Sequence, residues 1–136
     1  MLDFETCAAL YDAVPAFRDH RPTSGDWVFL APDAAPRPCL IDTDGSMLVQ
    51  WDDDEPGVWH RDPPPGAQAA FAWCPTLADL IALALPRLCV LRRSLHGGPI
   101  TWFVDTLDGV FAGPTPEAAV AALLLGEEVD PAVASV

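Results

Sequence analysis

Lysine and asparagine are absent from the chain, and its seven basic residues, all arginine, face twenty aspartates and glutamates. The net charge of −13 repels phosphate backbones, which bind proteins through cationic neutralisation, so no nucleic-acid partner is expected. An anionic membrane surface is disfavoured on the same ground. Because every basic residue is arginine and alanine and proline are plentiful, the missing lysine and asparagine read as codon bias of a GC-rich genome and carry no function. Long apolar runs are missing too. One such stretch, Leu77 to Leu85, is broken by Asp79 and followed by Pro86, and none approaches the roughly 20 residues a membrane-spanning helix needs. The opening MLDFETC has neither a basic segment nor a long apolar one, so a secretory leader is not expected and a cytoplasmic location is.

Motifs for metals and cofactors are also lacking. There is no C-x-x-C pair, no H-x-H and no H-E-x-x-H, and the Walker and dinucleotide glycine patterns do not occur. Cys7, Cys39, Cys74 and Cys89 lie far apart, each among apolar neighbours. They read as buried thiols in a reducing compartment, not as a disulfide or zinc framework. No cofactor and no metal is expected.

What remains is a chain of 136 residues, 51% of them hydrophobic. That is enough for one domain with a real core. Phe4, Cys7, Leu10, Tyr11 and Val14 recur at helical spacing behind Asp3, a natural N-cap, and Pro15 ends the pattern. DWVFLAP predicts a strand. CLIDTDGSMLVQW predicts a hairpin around Asp44-Gly45, with Met47, Val49 and Trp51 on its inner face. VWHR predicts a short edge strand beyond Pro56-Gly57. DPPPGAQ is an extended link whose Pro63–Pro65 run offers the one candidate boundary. PTLADLIALAL predicts a helix opened by a Thr76/Asp79 capping box, with Leu77, Leu80, Ile81 and Ala84 buried. LCVLRRSL and ITWFVDT predict a second hairpin, with Ile100, Trp102 and Val104 on one face. TPEAAVAALLLG predicts a helix capped by Thr115, with Pro116 at its first position, Ala119, Val120, Leu123 and Leu124 inward, and Gly126 as its stop. Residues 127–136 read as a flexible acidic tail. The expectation is thus a single α+β domain over residues 1–126, ordered α-β-β-β-α-β-β-α, with helices packed on an antiparallel sheet.

The stretch WDDDEPGVWH concentrates charge: Asp52, Asp53, Asp54 and Glu55 stand between Trp51 and Trp59. Neighbouring residues of an extended chain point to opposite sides and do not converge on one ion, so the run reads as a solvated turn. Flanked by aromatics, it is also the candidate protein-binding face, suited to a basic partner. Asp42-Thr43-Asp44-Gly45 fails as a calcium loop. One register puts Met47 where the invariant glycine belongs, and the other puts Leu40 and Trp51 at ligand positions. His20, His60 and His96 are isolated and read as surface or loop residues. Ser94 and His96 form a conceivable nucleophile pair without an elbow motif or a third member. Arg87, Arg92 and Arg93 are the one basic cluster and are expected to pair with the chain's own carboxylates. No catalytic residue is expected, and the chain is not expected to be an enzyme.

Three segments, ETCAALYDA, AWCPTLADLIALALP and TPEAAVAALLLGEE, arrive in an order that resembles a set of small, uncharacterised phage and prophage-encoded proteins. The likeness implies an N-terminal helix, a Trp-containing strand, a P-T-x-x-x-L-L helix, a hairpin and a closing helix. DTLDGVFAGPTPEAAVAALL separately resembles HicB-type antitoxins, in which a strand leads into such a helix. The function expected from residues and resemblance together is a non-enzymatic protein-binding accessory or regulatory module of phage type. An acidic antitoxin or immunity-type inhibitor of a basic protein is the alternative, and a small enzyme the third. Pairing of two copies through a Trp102 face or the VWHR edge stays open.

Overall fold

A computed structural model describes residues 1–20, 23–30, 38–41, 47–49, 58–60, 71–88, 90–94 and 99–130 of the protein. The chain divides into two compact units, residues 3–75 and residues 76–136 with Met1 and Leu2. The division falls between Pro75 and Thr76, where a strand has ended and a helix cap begins, and not at Pro63–Pro65. Both units mix helices with antiparallel strands, so the protein is α+β.

In the first unit, α1 (Phe4–Ala13) begins where the Asp3 carboxylate accepts the Thr6 backbone N–H at 2.8 Å. It stops at Val14 because Pro15 has no N–H to give. Pro15 then starts a four-residue turn of helix, α2 (Pro15–Arg18), tolerated at the first helical position for the same reason. Five strands follow: β1 (Trp27–Leu30), β2 (Pro38–Ile41), β3 (Met47–Val49), β4 (Val58–His60) and β5 (Phe71–Cys74). They form one antiparallel sheet in the order β4-β3-β2-β1-β5. The expected hairpin is present as β2 and β3, with Cys39 opposite Val49 and Leu40 opposite Leu48. Its Asp44-Gly45 turn lies outside the described residues. VWH takes the expected edge position, whereas β5, at the other edge, is an additional strand.

Register assigns the two faces of this sheet. Trp27 is opposite Leu40 and Cys74, and Phe29 is opposite Ala72, so these residues share one face. Helix α1 covers it: Phe4 meets Phe29 edge-on with ring centroids 5.6 Å apart, and Cys7 touches Cys74. Val28, Cys39 and Trp73 share the other face. There Phe17 of α2 packs on Trp73 at 5.3 Å, and Val28 and Cys39 form a buried cluster with Ile41 against it. Strand β5 is therefore gripped from both sides by one stretch of chain that passes around the sheet edge.

The second unit opens with α3 (Leu77–Ala84). Its capping box is complete: Thr76 Oγ1 accepts the Asp79 N–H at 3.2 Å, and the Asp79 carboxylate accepts the Thr76 N–H at 2.9 Å. Strands β6 (Val90–Arg93), β7 (Trp102–Asp105), β8 (Val110–Gly113) and β9 (Glu128–Val129) form an antiparallel sheet in that order, with α4 (Pro116–Leu125) inserted before β9. Thr115 Oγ1 caps α4 by accepting the Ala118 N–H at 3.1 Å. At the other end Gly126 adopts φ 74°. Its N–H reaches Leu123 O at 3.1 Å while that of Glu127 reaches Ala122 O at 2.9 Å, the Schellman stop that a glycine permits.

Helix α4 lies directly on β8, because Gly113 has no side chain. A Cβ there would stand 2.6 Å from the Ala119 nitrogen and 2.7 Å from the Ala118 Cβ. The covered face carries Val104 and Phe111, both buried, and Trp102 opposite Gly113. Trp102 thus shares the helix-covered face and is half-buried.

Four expectations are corrected by these findings. The strands make two sheets and not one. LDGVFAGP contributes strand β8. The tail expected from residue 127 supplies β9, Glu128 pairing with Phe111 and Val129 with Val110. Ile100, expected to continue the face of Trp102 and Val104, precedes the first paired residue of β7 and is 59% exposed.

Two substitutions test this account. Gly113→Ala drives a methyl group into helix backbone, so unfolding in urea should show a loss of about 1–3 kcal/mol. Asp3→Ala removes the α1 cap and should cost about 1 kcal/mol at neutral pH. The hydrogen bonds from Thr6 hold the Asp3 carboxyl below its ordinary value. Its contribution is therefore complete above the usual carboxylate range and fades as pH falls through that lowered value. Wild type and Asp3→Ala should converge in stability in acid, and a gap that stays constant down to strongly acidic pH would remove Asp3 as the cap.

Candidate interaction surfaces

The acidic candidate face is only partly within view. Trp51, Asp52, Asp53, Asp54 and Glu55 lie outside the described residues. Trp59 belongs to edge strand β4, where its backbone pairs with that of Leu48; its side chain lies outside the described set. His96 is likewise outside it. Its proposed companion Ser94 serves the β6–β7 connection: Ser94 Oγ accepts the Thr101 N–H at 3.2 Å, and Ser94 N–H donates to Thr101 O at 2.8 Å. Among the described residues no group of three or more His, Cys, Asp or Glu gathers as a metal ion would require. No helix among them is long and apolar enough to cross a membrane.

Of the basic cluster, Arg92 pairs with a carboxylate of the chain, as expected. Arg92 Nε donates to the Asp105 carboxylate at 2.8 Å and Nη2 follows at 3.3 Å. Its guanidinium also stacks 4.6 Å from the centre of the Phe103 ring, which is 5% exposed. Both partners of the ion pair are about one-third exposed, so water screens the charge term and the cover over Phe103 is the larger contribution.

His20 is a loop residue, as expected, but a partly buried one with specific partners. Its ring stacks on Trp73 with centroids 3.6 Å apart and planes 10° from parallel. Nε2 lies 2.9 Å from the Asp26 carboxylate, which also accepts the Thr23 N–H at 2.9 Å. Only the Asp26 contact is near in sequence, and nothing local in HRPTSGD announces the stack on β5. The three groups close the link between α2 and β1 onto the sheet.

Cys7, Cys39 and Cys74 are buried, in line with the expected thiols, while Cys89 lies outside the described residues. The contact with Cys74, then burial, push the Cys7 thiol far above the usual thiol range. It is not a ready nucleophile.

One exposed feature was not expected from the sequence. The turn after β7 is tied by the Thr106 hydroxyl, which accepts the N–H groups of Asp108 and Gly109 at 3.2 and 3.0 Å. Thr106 N–H also donates to Gly109 O at 2.9 Å. This pinned loop holds Leu107 out at 94% exposure. Val90, 48% exposed, pairs with Asp105, the last residue of β7, so Val90 and Leu107 occupy the same end of the sheet. Leu83 and Leu85, at the end of α3, are also exposed in this unit. Leu107 is therefore held in water on a hydrogen-bonded turn and adds nothing to the buried core.

Fold and surface together define an acidic α+β protein with an apolar hairpin tip. No family model matches the chain, and no curated protein or solved structure matches it.

The competing weights on Arg92 can be separated. Arg92→Ala should destabilise by about 1 kcal/mol or more, because it uncovers Phe103. Asp105→Ala should cost less than that, as a screened pair does. Arg92→Met, which keeps the cover without the charge, should recover most of the loss in thermal melts. The reverse ranking would make the ion pair dominant.

Proposed function

We propose that the protein is a non-enzymatic protein-binding module, an accessory or regulatory component of phage or prophage type acting in the cytoplasm. The observation that carries this reading is Leu107, almost wholly exposed on a turn held by side-chain and backbone hydrogen bonds. A fixed loop forfeits little entropy on binding, which lowers the cost of forming a complex. Negative charge adds a second element: with −13 overall, approach of a basic partner is accelerated. The run Trp51, Asp52, Asp53, Asp54, Glu55, with Trp59 beyond it, is where the sequence concentrates that charge, and we assign it the electrostatic half of the contact.

The same charge favours a second reading, an antitoxin or immunity-type inhibitor that occludes a basic surface. It differs from the first in the partner, not in the mode of binding.

Tagged wild-type protein expressed in its native host should recover a stoichiometric protein partner. Leu107→Asp should reduce recovery by roughly tenfold, about 1.4 kcal/mol, without altering the melting temperature. Exchange of Asp52, Asp53 and Asp54 for asparagine should weaken association and flatten its dependence on salt. Equal recovery by both variants, or no partner even after crosslinking, would overturn the proposal. Inhibition of the recovered partner's own activity would select the second reading.

A further inference from the structure

Cys7 stands on α1 and Cys74 on β5, and the packing of that helix on that strand sets the two thiols in hydrogen-bonding contact. Both are buried, at 0% and 3% exposure. The third described cysteine is not a rival. Cys39 lies opposite Val28, which lies opposite Trp73, so it belongs to the other face of the sheet. We propose that Cys7 and Cys74 are a latent redox pair, closed by a small-molecule disulfide such as oxidised glutathione into a bond that ties α1 to β5.

The chemistry balances in two exchanges. The thiolate of one cysteine attacks glutathione disulfide, forming a mixed disulfide and expelling one glutathione thiolate. The sulfur of the other, on losing its proton, attacks the protein-side sulfur of that intermediate and expels the second glutathione. The protein gives up two protons and two electrons, and one glutathione disulfide becomes two glutathione thiols. Contact with Cys74 and burial hold the Cys7 thiol protonated in the folded state, so exchange proceeds through opening of α1. That requirement slows the reaction without setting its end point. The equilibrium depends on how closely the fold holds one sulfur to the other. The bond once made joins two elements separated by nearly the whole first unit, which constrains the unfolded chain strongly.

The test is equilibration of the purified full-length chain in graded glutathione buffers. It is run from the reduced folded state and from chain oxidised in urea and then refolded, so slow exchange cannot mask the result. Alkylation and peptide mapping then read each cysteine. The expected product is a Cys7–Cys74 link from both directions, with Cys39 alkylated. It should persist at a ratio of squared thiol to disulfide at least about tenfold higher than in the urea-unfolded chain, which for a two-electron couple is about 30 mV. Cys7→Ser and Cys74→Ser should each abolish the link, and Cys39→Ser should leave it intact. Thiols or glutathione adducts at equilibrium, links through Cys39 or Cys89, or no preference over the unfolded chain would each overturn the proposal.

Discussion

The interaction on which the first unit depends is the double burial of β5. Ala72, Trp73 and Cys74 are consecutive and all buried, so this edge strand has no solvent face. A sheet edge ordinarily exposes both flanks of its last strand, and it needs cover. Here the cover is a single run of chain: α1 over Ala72 and Cys74, then α2 and His20 over Trp73. Pro15 makes the passage possible, because it ends α1 and restarts helix at once in a new direction. A strong helix former at that place would extend α1 past the edge and leave Trp73 bare. Burying Trp73 between Phe17 and His20 contributes both area and ring stacking, and fixes how the N-terminal segment is wound.

Legibility in the sequence followed chemistry that is local. Asp3, Thr76, Thr115 and Gly126 announce helix ends through groups three or four residues away, and each cap is found where it was expected. The elements that escaped are set by distant partners. Ala72, Trp73 and Cys74 show no alternation because all three are buried, and an unbroken apolar run carries no period to read. VFAG is absent from the expected element order; its Gly113 admits α4, a requirement visible only once the helix is in place. Glu128 and Val129 are only two residues long, too short to show a pattern, and pair as a strand with the edge that β8 offers. The His20 stack needed Trp73, and Leu107 was invisible because exposure of a leucine has no sequence signature. Of the candidate contact surface, composition revealed the acidic run and said nothing of the hairpin tip.

Few cations oppose the charge of this chain, and Arg92 is held by Asp105 and Phe103. Much of the acidic surface therefore stays uncompensated, which raises solubility and opposes self-association of the whole molecule. On the proposed reading, the same charge would attract a basic partner. Long-range attraction would bring such a partner near, but in a cell it decays within about 8 Å and does not fix an orientation. Orientation requires short-range contact at a rigid place, and the Thr106–Gly109 turn supplies one. On the proposed reading, a leucine held there would lose little entropy if a partner's pocket closed over it. Charge would then govern how often the two proteins meet, and Leu107 how long they stay together.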